Sequence, residues 1–149
     1  MKKIVLNACG VKSLGGLKLF LESFDFFSKT DSKIFVLYSE IEFYKDLNNQ
    51  FYENPRVKFY KTTNKRYLHP FLNYFLPNKI VEEINNSDAI VHFGNFGFKT
   101  LKKSFVLIQN ILPLVKKGIR NSILKLLINR SMNLSNFILI QLDLSLIHI

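Results

Sequence analysis

Two short, continuously apolar runs constrain this chain most: Ala89–Phe93 and Phe105–Leu112. Strands this short and this apolar are buried on both faces, as in a parallel sheet covered by helices. The first run breaks into Gly94-Asn95-Phe96-Gly97, and the second carries Gln109-Asn110 just before Leu112-Pro113. Open α/β sheets bind ligands at the C-terminal ends of their strands. A ligand site is therefore expected at these polar and glycine-rich tips.

The remaining segments extend the same pattern. Lys3–Ala8 reads as a first strand, and Gly10–Gly16 as a glycine-containing turn. Leu17, Phe20, Leu21, Phe24 and Phe27 fall at helical spacing, with Lys18, Glu22 and Asp25 off that face, so a helix is predicted over Leu17–Phe27. Strands follow at Lys33–Tyr38 and Val57–Lys61, separated by a helix at Ile41–Phe51 and a turn at Asn54-Pro55. Asn64–Asn78, with Pro70, Pro77 and an aromatic cluster, is predicted to be helix broken by loop, and Lys79–Asn86 to be helical. The fourth and fifth strands are predicted at Asp88–Phe93 and Ser104–Ile111, a basic amphipathic helix at Leu114–Ser131, and a sixth strand from Asn136 to Gln141. Alternating strands and helices give βαβ units, a mostly parallel sheet with helices on both faces, and hence the α/β class.

A length of 149 residues fits one domain with a sizeable core. One cysteine, Cys9, leaves no internal disulfide and fits a reducing compartment. The longest apolar run, Phe105–Val115, is about half of a membrane span and is interrupted by Gln109, Asn110 and Pro113. Met1-Lys2-Lys3 begins like a signal peptide, but the following apolar stretch is too short. A cytoplasmic protein is expected. The net charge of +10 is uneven: ten of the eleven acidic residues precede Ala89, and Lys99–Arg130 holds eight Lys/Arg and no acid. That segment should attract polyanions: lipid headgroups, nucleotide phosphates or nucleic acid.

Individual residues narrow the chemistry. Gly15-Gly16 lie where a helix N-terminus meets a strand, a place that can hold a phosphate or form a plain tight turn. The spacing is neither G-x-G-x-x-G nor a Walker loop. Cys9 reads as a small buried side chain rather than a nucleophile, and His92 as a core or strand-tip histidine with a ligand or catalytic contact as the alternative, while His69 precedes Pro70 in the aromatic connection. No second His, Cys or carboxylate stands at ligand spacing, so no metal site and no cofactor is expected. Glu82-Glu83 read as a solvated helix face. Lys116, Lys117, Arg120, Lys125 and Arg130 surround Ile119, Ile123, Leu124, Leu127 and Ile128. Such a helix either packs on the sheet with a wet basic face or docks on an anionic membrane surface. Without a recognisable module, basic charge does not argue for nucleic acid.

Together these patches resemble one family. Gly15-Gly16 opening a helix, Ser87–Phe93 followed by Gly94-Asn95, Val106-Leu107-Ile108-Gln109-Asn110-Ile111-Leu112-Pro113, and Arg130-Ser131 ahead of Ser135–Gln141 look like the N-terminal half of a group 1 (family 4-like) bacterial glycosyltransferase. The resemblance implies the first of two Rossmann-like domains, shaping the acceptor side of a cleft. It implies that Gly15 and Gly16 face the donor phosphates and that Gly94, Asn95 and Asn110 line the cleft. It implies a nucleotide sugar and a glycan or lipid-linked acceptor as partners. The product would be a cell-surface polysaccharide made at the inner face of the membrane, with Lys116, Lys117, Arg120 and Lys125 toward the lipid. The family's pair of Glu residues belongs to the second domain, and no Glu follows Glu83 here, so this chain by itself is expected to be inactive. Leu144-Ser145-Leu146-Ile147-His148-Ile149 resemble the translation of a transposase mosaic-end adaptor and are read as a non-native tail, leaving residues 1–143 as an incomplete domain. A small α/β nucleotide-binding or regulatory module without transferase activity is the alternative.

Overall fold

The computed structural model describes residues 1–11, 14–39, 54–63, 66–94, 96–108, 118–134 and 137–140. The predicted helix at Ile41–Phe51, the residues Asn95, Gln109, Asn110, Lys116 and Lys117, and the tail from Leu144 lie outside them. The elements in order are β1 (Lys2–Asn7), α1 (Leu14–Ser28), β2 (Ser32–Tyr38) and β3 (Val57–Lys61). A 3-10 helix (Arg66–Tyr74), α2 (Asn78–Asn85), β4 (Ala89–Phe93), β5 (Lys103–Ile108), α3 (Ile119–Asn133) and β6 (Phe137–Ile140) follow.

Six strands form one sheet in the order β3-β2-β1-β4-β5-β6, and every pairing is parallel. The chain winds outward from β1 through β2 to β3, then returns to place β4 on the other side of β1. This is a Rossmann-like α/β fold. Its strand order reverses between β1 and β4, and in open sheets that reversal marks the ligand crevice.

Alternate residues of each strand supply two cores. On the α1 face, Ile4, Leu6, Ile34, Val36, Phe93 and Leu107 pack with Phe20 and Phe24 of α1. Phe20 meets Phe93 edge to face at 5.3 Å. On the opposite face, Val5, Cys9, Phe35, Leu37 and Ile90 pack with Leu72, Leu76, Ile84 and Phe98. Val106 packs there with Ile128 of α3. Each fully buried Phe or Leu contributes about 1.5–3 kcal/mol. The two-sided burial explains why the strands read as apolar runs rather than as alternating ones.

Four boundaries or roles differ from expectation. α1 begins at Leu14, so Gly15 and Gly16 belong to its first turn rather than to a turn before it. Among the described residues the basic helix spans Ile119–Asn133, ending two residues later than expected, while the expected start at Leu114 lies outside them. Gly118 precedes it at φ +132°, a backbone conformation that L side chains rarely adopt. The aromatic connection forms a single nine-residue 3-10 helix that accommodates Pro70. Glu83 is not merely solvated: its carboxylate pairs with Lys3 Nζ and ties α2 to β1.

Candidate functional site at the β1–β4 tips

β1 ends in Asn7 and β4 in His92-Phe93, and the two strands pair so that Asn7 stands opposite His92. Both side chains are fully buried. Asn7 Oδ1 accepts the N–H of Cys9 at 3.2 Å, which leaves its Nδ2 to donate to His92 Nδ1 at 2.9 Å. The imidazole proton therefore resides on Nε2, a buried atom with no hydrogen-bond partner. Burial pushes the His92 pKa down to about 3, so the ring is neutral across the physiological range. Its flank is closed by Phe98, edge to face at 4.8 Å, and by Gly97, where a Cβ would come 3.0 Å from His92 Cδ2.

Just beyond this pair the two tips touch. A Cβ on Gly94 would lie 2.5 Å from the carbonyl carbon and oxygen of Gly10, and one on Gly10 would lie 2.7 Å from the Phe93 oxygen. Gly94 also has φ +91°. Only glycine at both positions lets the β1–α1 and β4–β5 connections approach so closely.

The neighbouring polar groups are used internally. Ser39 Oγ donates to the Cys9 carbonyl at 3.0 Å. Thr62 Oγ1 donates to the Tyr38 carbonyl at 3.0 Å and stands 2.9 Å from Cys9 Sγ. Cys9 is fully buried, and burial raises its pKa to about 12, so it is no nucleophile. His69 is likewise buried, with Nε2 donating to the Thr63 carbonyl at 3.2 Å. Among the described residues no cluster of His, Cys, Asp or Glu could hold a metal ion. The arrangement suits binding by backbone groups on a rigid rim better than acid–base or nucleophilic chemistry.

Gly15 and Gly16, at the start of α1, and Gly94, after β4, lie at the same C-terminal edge of the sheet. Gly94 contacts Gly10 rather than the glycine pair. Arg120 falls in the first turn of α3, and Lys125 lies further along it and is exposed, as are Ile123 and Leu126 at 57% and 70%. No helix among the described residues is long and apolar enough to cross a membrane. Sequence reasoning did not single out Asn7, Ser39 or Thr62. The available signal was a polar residue closing an otherwise apolar strand, at Asn7 as at His92.

No protein-family model matches this chain, and no curated protein matches it in sequence.

Proposed function

We propose that this chain is the acceptor-side domain of a glycosyltransferase that moves a sugar from a nucleotide donor to a cell-surface polysaccharide acceptor. The observation that carries the reading is the all-parallel sheet whose order reverses between β1 and β4, with Gly10, Gly15, Gly16 and Gly94 gathered at that edge. Backbone N–H groups of such an edge favour the charge that develops on a leaving nucleotide diphosphate. The neutral, buried Asn7–His92 pair keeps the rim in register and contributes no charge that would repel phosphate.

Titrating isotope-labelled protein with uridine diphosphate tests this reading. Amide shifts should concentrate at Gly10, Gly15, Gly16 and Gly94, with millimolar affinity. Shifts confined to the opposite edge, or none at saturating nucleotide, would remove it. The six-stranded sheet formed within this chain supports the second reading, a nucleotide-binding module without transferase activity. Micromolar binding of the same nucleotide by this chain alone would favour that module.

Attachment to the membrane surface belongs to the same proposal. On α3, Ile123 and Leu126 stand one turn apart on an exposed stripe, and exposed Lys125 lies on the face adjoining Leu126. Flotation with anionic and neutral vesicles tests it, and equal binding to both would exclude an electrostatic contribution.

A further inference from the structure

Among the described residues the α1 face is not covered evenly. Beside α1, over β1, β4 and β5, lies an open groove of about 700 Å³. Its floor is Ile4, Ala89, Val91 and Phe105, and its wall on the helix side is Ser23 and Phe27. Lys2, Asp88 and Lys103 stand around it at the N-terminal ends of the strands. It is therefore at the opposite edge from the β1–β4 tips and takes no part in the site proposed there.

Next to this groove stands a knob. Phe26 is 64% exposed, an unusual state for a phenylalanine on a helix that buries Phe20 and Phe24. Three residues after Ser23, it lies about 60° further round the helix on the groove side. Its ring is held edge to face against Phe27 at 5.3 Å. An apolar knob and an apolar groove on one face form a self-complementary surface. Such a surface closes under a two-fold axis, each copy filling the other. The rim is mixed in charge, so the pairing can set lysine of one copy against Asp88 of the other. Asp88 already accepts the backbone N–H of Lys3 at 2.7 Å, which holds that carboxylate in place.

We infer that the chain forms a two-fold dimer through this face, with Phe26 of each copy seated in the groove of the other. Sedimentation velocity of the full chain over a range of concentrations tests it. The wild-type chain should shift from monomer to dimer and stop there. Phe26→Asp should weaken the dimer about 30-fold or more, the loss expected for a central aromatic anchor. Its folding should be unimpaired, because the side chain is exposed. Phe26→Cys combined with Val91→Cys should give an intermolecular disulfide under mild oxidation, which neither single variant gives in the same yield. A chain that stays monomeric at every concentration overturns the inference. So does a Phe26→Asp dimer of unchanged strength, or open-ended association beyond the dimer. Nucleotide binding at the other edge is a separate readout, so failure of either proposal leaves the other standing.

Discussion

The half of the sheet under α1 and the half beyond it are built from similar strands but meet different surroundings. Under α1, Ile34 and Val36 of β2 are enclosed by Phe20 and Phe24. Beyond it, Val91 of β4 and Phe105 of β5 floor an open groove on the same face. On the opposite face both halves are covered, by Leu72, Leu76 and Ile84 on one side and by Ile128 of α3 on the other. An apolar run thus announces that a strand is designed for two covered faces. It does not say which element supplies each cover.

The sharpest way to break this contrast is a pair of truncations. Phe20→Ala, at a site with no exposure, should cost about 3–5 kcal/mol. Phe105→Ala, in the groove floor, should cost roughly half as much or less, because water already reaches it. Urea unfolding at low protein concentration reads both. Equal losses would mean that the groove is as dry as the core under α1.

A second pair compares two glycines of positive φ. Gly94 is pressed against Gly10, whereas Gly118 has nothing within 4 Å of the place where a Cβ would go. Gly118→Ala meets only backbone strain, about 1–2 kcal/mol. Gly94→Ala meets the same strain and a clash with the Gly10 backbone, and should exceed it by about 1 kcal/mol or more, within the cost of a strained site. Equal thermal shifts for the two variants would show that the tips can part freely, and the rigid rim would have to be abandoned.

The third prediction concerns acid. His92 has a folded pKa near 3 against an ordinary value of 6.5. Below 6.5 the unfolded chain takes up a proton that the folded chain refuses. Stability is therefore whole above that pH and falls by about 1.4 kcal/mol per unit as the pH drops toward 3. His92→Gln should lower stability at neutral pH, by leaving Asn7 imperfectly paired, and should flatten the slope between pH 6 and 4. A slope identical to wild type would place the proton uptake elsewhere.

These contrasts also show what the residues disclosed in advance. The strands were legible because two-sided burial forces Ile, Val, Leu and Phe into short unbroken runs. The parallel class followed from them. The start of α1 was not legible, because a Gly-Gly pair reads as a turn when the packing of Phe20 and Phe24 that sustains the helix is unseen. Gly118 was hidden for the opposite reason: surrounding lysines and apolar residues continue the helical pattern straight through it. At the tips, Asn7 and His92 are partners 85 positions apart. No local spacing reports a contact that exists only after β4 returns beside β1. Gly10 looked like any turn glycine, and its contact with Gly94 is likewise a product of that return.

The smallest effects should come from two ion pairs, and they separate two sources of acid sensitivity. Lys29–Asp25 is an exposed pair on α1, 2.6 Å apart and four residues apart in sequence. Lys29→Ala should change stability by about 0.5 kcal/mol or less. Lys3–Glu83 is less exposed and joins β1 to α2 across 80 positions. Lys3→Ala should cost somewhat more, on the order of 0.5–1 kcal/mol. The hydrogen bond from Lys3 holds the Glu83 carboxyl below its ordinary value of 4.5. Its contribution is therefore present above 4.5 and disappears as the pH falls through the lowered value. His92 begins to act near pH 6.5, two units earlier. A pH series on Lys3→Ala should therefore match wild type in slope between pH 6.5 and 5 and diverge only below 4.5. Divergence at pH 6 would assign the early slope to the Lys3–Glu83 pair and take it from the buried histidine.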